Sequence, residues 1–68
     1  MVQFITRAAQ SAYNQAGYNK NDAYAHARIV AEYVLDNFDI IQPLFGSEDE
    51  FELAYRVAAS MIETELAA

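Results

Sequence analysis

The chain has 68 residues, enough for one small domain that buries only about 60% of its unfolded surface, and too few for a two-domain enzyme. Hydrophobic residues make up 54% and charged residues 21%, a balance that supports a core and excludes a disordered tail. Four Lys and Arg against ten Asp and Glu leave a net charge of −6, so the chain as a whole repels nucleic acid. With no cysteine, disulfides, thiolate zinc sites and cysteine nucleophiles are excluded, and the redox compartment stays open.

Val2 to Ala16 opens the chain as a helix. Ile5, Ala8, Ala9, Ala12 and Ala16 recur at helical spacing with Tyr13 beside them, and Gln3, Thr6, Arg7, Gln10, Ser11 and Asn14 take the other face. Gly17 suits the left-handed position just past the helix end, with Tyr18 folding back onto the last turn. Asn19 or Asn21 is the expected N-cap of a second helix over residues 22–37, and Asp22 complements its positive end. Along it Ala23, Ala27, Val30, Val34 and Phe38 keep the i, i+4, i+7 rhythm.

Pro43 disfavours the helical conformation at Gln42, so residues 39–44 are expected to form a short extra turn or to fray. Ser47 and Glu50 have the S-x-x-E capping-box spacing, and with Glu48, Asp49 and Glu50 they predict a third helix over residues 48–66. Its apolar stripe is Phe51, Ala54, Tyr55, Ala58, Met61 and Ile62, widened by Leu53 and Val57. Glu52 and Arg56 are a favourably oriented i, i+4 pair.

The expected fold is therefore all-α, a single domain over residues 1–68 built as a small antiparallel three-helix bundle. Alanines on the first two helices make a thin core, with the phenylalanines and tyrosines filling the ends. Against chain entropy such a core nets close to zero, so support from a partner or a second copy is expected. Self-association would use Phe51, Tyr55, Ala58, Met61 and Ile62.

Groups for catalysis are scarce. His26 is the only histidine, Ser47 is accounted for by capping, and Ser11 and Ser60 have no base in view, so no nucleophilic triad and no enzyme is expected. Asp36 to Asp39 starts like a calcium loop, but Ile41 and Ser47 stand where its glycine and final acid belong. Glu32 and Asp36 lack the E-x-x-H element of di-metal bundles, and Gly17 and Gly46 are isolated, so no metal or cofactor is expected. The stretch from Met1 to Ala9 lacks the pattern of a secretory signal, and no apolar run approaches the roughly 18 residues of a membrane span. A cytoplasmic, membrane-free setting is expected.

The charge is unevenly spread. Residues 1–31 hold Arg7, Lys20 and Arg28 against Asp22, a balance of +2, whereas residues 32–68 hold Arg56 against the other nine carboxylates, a balance of −8. The joint between the second and third helices collects Asp36, Asp39, Glu48, Asp49, Glu50 and Glu52 around Ile40, Ile41, Leu44 and Phe45. Carboxylates that steer and apolar groups that hold suit a basic protein partner.

In size, charge and helicity the chain resembles the small acidic helical proteins with which phages and mobile elements inhibit host machinery, anti-CRISPR proteins and DNA mimics among them. The resemblance implies a non-enzymatic inhibitor that occludes a basic nucleic-acid-handling protein or nucleoprotein complex, and it transfers no residue roles. Asp36, Asp39, Glu48, Asp49, Glu50 and Glu52 would steer, with Ile41, Leu44, Phe45 and Phe51 as anchors. A homodimeric assembly protein using the third helix is the first alternative. A weak helix-turn-helix regulator around Gly17 is the second; Tyr13 falls where that motif prefers a small residue, and direct nucleic-acid binding is not expected.

Overall fold

A computed structural model describes residues 2–46 and 49–67. They form four helices: α1 (Val2–Gln15), α2 (Lys20–Asp36), α3 (Phe38–Phe45) and α4 (Glu50–Ala67). No strand occurs among the described residues. The Cα radius of gyration, 11.0 Å, is that of a compact chain of this length, and the trace is a slab of 30 × 27 × 15 Å. The central element is α1, which packs extensively against both α2 and α4; α2 and α4 meet less, and α3 touches only the margins of each.

The α1–α2 joint follows from local chemistry. Gly17 has φ 98°, in the left-handed region, and its N–H donates to the Asn14 carbonyl while the Tyr18 N–H donates to the Tyr13 carbonyl, both at 3.1 Å. This pair of bonds is a Schellman motif, and its customary apolar contact is supplied by the rings of Tyr18 and Tyr13, edge to face at 5.1 Å. Asn19 then caps α2: its Oδ1 accepts the Asp22 N–H and its Nδ2 donates to Asp22 Oδ2, each at 2.9 Å. The cap lies three residues before Asp22, so α2 begins at Lys20 rather than at residue 22.

One cluster of buried residues forms the core. Tyr13, Ile5, Leu53, Val30 and Val34 are its largest fully buried side chains, and seven of its fifteen members are alanines. Small residues let the three long helices approach closely, at little buried area each. The phenylalanines do not fill the core as expected. Phe4 and Phe51 are about half exposed, and Phe38 and Phe45 are only partly buried against the cluster. The one ring in the core is that of Tyr13, and the phenylalanines lie at its periphery.

Two expected boundaries change. α4 begins at Glu50, two residues later than expected, because Asp49 caps it: Asp49 Oδ1 accepts the Phe51 N–H and the Asp49 carbonyl accepts the Leu53 N–H, both at 2.8 Å. The capping-box serine, Ser47, lies outside the described residues, as does Glu48. The second change is α3, a full eight-residue helix where a turn was expected, so the described residues form four helices rather than three.

Candidate functional site

Asn37 places α3. Its N–H and its Nδ2 both donate to the Tyr33 carbonyl, at 3.1 and 3.0 Å, which closes α2. Its own carbonyl accepts the N–H groups of Ile40 and Ile41, at 3.0 and 2.9 Å, which opens α3. Gln42 stays helical despite the proline that follows. Pro43 forfeits one bond, to the carbonyl of Asp39, an exposed residue where water can take the donor's place. Ile41 is only 3% exposed, and burial of such a side chain, worth about 1.5–3 kcal/mol, offsets that loss. Gly46, at φ 65°, ends the helix by donating its N–H to the Gln42 carbonyl.

The far end of α3 is tied to α4 by Arg56. Its Nη1 donates to the Phe45 carbonyl at 2.7 Å, while its Nε lies 3.3 Å from Glu52 Oε1. α3 has no basic residue in its own last turn, so Arg56 supplies the cation that its negative end lacks.

Held this way, α3 turns Ile41 inward and leaves Ile40 68% and Leu44 76% exposed on one ridge, four residues apart. Between the end of α2, α3 and α4 lies a groove of about 270 Å³, with Tyr33, Leu44, Phe45 and Met61 around it, Ile41 and Val57 beneath, and Ser60 at its edge. Asp36 and Asp39 are exposed where α2 passes into α3.

The expected partner-binding residues divide accordingly. Asp36 on α2 and Asp39 and Leu44 on α3 are exposed, and Phe45 is half-buried in the groove wall. Ile41 is corrected from anchor to core residue. Asp49 is a helix cap, Glu50 is half-buried, and Glu52 is partly neutralised by Arg56. For self-association, Ala58 and Ile62 are corrected: both are buried, because α4 turns Leu53, Ala54, Val57, Ala58 and Ile62 toward the other helices. Phe51, Tyr55 and Met61 lie on its flank and are exposed, with the Tyr55 hydroxyl donating to Gln15 Oε1 at 3.0 Å.

Tyr33 was not singled out from the sequence. The available signal was the pair Ile29 and Tyr33, four residues apart and off the main stripe of α2. Also missed was a cluster at the α1–α2 joint. His26 stacks on Tyr13 at 5.2 Å and meets Tyr18 edge-on at 5.4 Å, and the Tyr18 hydroxyl donates to Glu65 Oε2. Burial, helped by the Glu65 charge, raises the Tyr13 phenol above its ordinary value of 10.0, and the bond to Glu65 foremost raises that of Tyr18. Both therefore stay neutral, and the cluster joins α4 to the α1–α2 turn.

A second concavity, about 490 Å³, lies between α1 and α2 and is lined by Val2, Gln3, Thr6, Tyr24 and Arg28. Arg28 there pairs with Glu32 at 3.7 Å, both exposed. Among the described residues no three acidic or histidine side chains gather as a metal site, and no helix is long and apolar enough to cross a membrane. No protein-family model, curated protein or solved structure matches the chain.

Proposed function

We propose that this chain is a non-enzymatic protein-binding inhibitor that occludes a basic, nucleic-acid-handling host protein or complex, met in the host cytoplasm. The observation that carries this reading is the α3 ridge. Ile40 and Leu44 are largely exposed on the helix that also carries exposed Asp39, with Asp36 exposed at the end of α2 just before it. Scattered exposed apolar residues are ordinary, whereas two on one ridge, continuous with an apolar groove, form a patch of the kind that marks an interaction site. Carboxylates beside such a patch favour a basic partner through faster encounter and rejection of acidic ones.

The test is capture from bacterial lysates on the immobilised protein, with duplex DNA as competitor. Asp36→Lys/Asp39→Lys and Ile40→Ser/Leu44→Ser are the informative variants, since Asp49 and Glu52 also serve as cap and ion-pair partner in the fold. Capture of a basic protein that DNA displaces and that both variants lose supports inhibition by occlusion. Capture unchanged in both variants sinks it, and a tight dimer abolished by Phe51→Ser/Tyr55→Ser points instead to the assembly alternative.

A further inference from the structure

We infer that the groove between α2, α3 and α4 receives a basic amphipathic helix of the partner, with one or two large apolar side chains seated against Tyr33, Leu44 and Met61. The inference rests on the protein-binding reading above and specifies which surface of the partner is held.

Size argues first. At about 270 Å³ the groove lies at the small end of ligand-pocket sizes and has room for one or two large side chains of a peptide. Its walls are helices and no sheet edge adjoins it among the described residues, so an extended strand has no backbone to pair with. Two modes remain: a proline-rich segment docks on aromatic-lined grooves and an amphipathic helix on apolar ones. With five of the seven lining residues not aromatic, the groove favours the helix, with anchors at i, i+3 or i+4, and i+7.

Charge then selects the kind of helix. Asp36, three residues after Tyr33, and Glu63, three residues after Ser60, lie one turn further along the two outer walls, and both are exposed. Around the groove Glu32 is paired with Arg28 and Glu52 with Arg56, whose guanidinium also donates to the Phe45 carbonyl, so the excess negative charge includes Asp36, Asp39 and Glu63, all exposed. α2 also has no basic residue in its last turn, so its negative end adds to the field. A second copy placed groove to groove would set these carboxylates against one another, which disfavours the chain itself as the occupant.

The probe is a fluorescently labelled helical peptide of about four turns, with Leu at i, i+3, i+4 and i+7 and Lys on its other face. The controls are a scrambled peptide of the same composition and a version with Glu in place of Lys. The expected result is saturable binding of the first peptide alone, with NMR amide shifts concentrated at Tyr33, Leu44, Phe45, Ser60 and Met61. Leu44→Asp should weaken binding about thirtyfold, as for a buried interface anchor, while Phe4→Ser on α1 changes nothing. Leu44 is largely exposed, so the variant should stay folded, and Met61→Gln gives a second perturbation of the same wall.

Equal binding of the scrambled peptide, an unchanged Leu44→Asp affinity, or shifts gathered at Thr6, Tyr24 and Arg28 would overturn the inference. So would concentration-dependent shifts of the groove residues without peptide, which would identify a second copy as the occupant. If the peptide binds as expected but lysate capture fails the DNA competition, the groove assignment stands and the inhibitor reading falls.

Discussion

The Arg56 guanidinium donates to the carbonyl of Phe45, eleven residues earlier, at 2.7 Å, and so closes the C-terminus of α3 from the side of α4. Together with the Asn37 bonds and the burial of Ile41, this tie orients the ridge that carries Ile40 and Leu44. Arg56→Ala should lower stability to urea by about 1 kcal/mol, the usual net value of one such hydrogen bond. Glu52→Gln removes only the exposed ion pair and should cost a few tenths of a kcal/mol, about what such surface pairs contribute. Faster amide exchange at Phe45 and Gly46 in Arg56→Ala alone would confirm the assignment; equal losses in both variants would contradict it.

The two left-handed glycines should differ in their response to substitution. A Cβ at either Gly17 or Gly46 would meet nothing within 4 Å, so only backbone conformation is at stake. Gly17, at φ 98°, lies outside the narrow left-handed basin that side-chain-bearing residues reach, whereas Gly46, at φ 65°, lies within it. Gly17→Ala should destabilise by about 1–2 kcal/mol, and Gly46→Asn by well under 1 kcal/mol. Thermal denaturation of both variants measures the difference.

The alanine-rich core should tolerate change poorly in either direction. Leu53 is fully buried, and Leu53→Ala should cost about 2–5 kcal/mol through lost burial and the cavity left behind. A chain of this length commands only about 3–10 kcal/mol in total, so the variant should be partly unfolded at room temperature. Ala27→Leu should be similarly damaging through overcrowding at the close helix contact, by about 1–3 kcal/mol. Circular dichroism melts of the two variants test both expectations.

The α3 ridge should separate surface from core within five residues. Ile40→Ser and Leu44→Ser should each change stability by no more than about 0.5 kcal/mol, since both side chains are largely in water. Ile41→Asp, between them, places a carboxylate in the core and should abolish cooperative unfolding. A loss for Leu44→Ser as large as that for Ile41→Asp would mean that the ridge is not free.

Alkaline solution should loosen the α1–α2 joint. The phenols of Tyr13 and Tyr18 have folded-state values raised above 10.0, so the folded form holds their protons more tightly than the unfolded chain. Their contribution is complete below about pH 10 and is lost as pH rises through the raised values. The melting temperature should therefore fall above about pH 10, and less steeply in Tyr18→Phe, which retains the ring but cannot ionise or bond Glu65. Melting curves across that range, with tyrosinate absorbance followed in parallel, provide the check.

What the chain carries locally was legible from its residues. The left-handed Gly17, the return of Tyr18 onto the last turn of α1 and the helical phase of Ile5, Ala9, Ala12, Ala23, Ala27 and Val34 depend on neighbours within about one helical turn, and each is found as read, while of the two asparagines expected to cap α2 it is Asn19 that does so. The segregation of charge, +2 before Glu32 and −8 from it onward, is likewise a property of order along the chain. Long-range packing decided the rest. Whether α4 would bury Phe51 and Tyr55 or Leu53 and Val57 depended on which face met α1, and both stripes have helical spacing. Residues 38–45 became a helix through the burial of Ile41 and the Arg56 bond from a distant element, neither of which a local rule at Pro43 registers. The site took its form from that outcome, because a helix in place of a loose turn is what separates buried Ile41 from exposed Ile40 and Leu44.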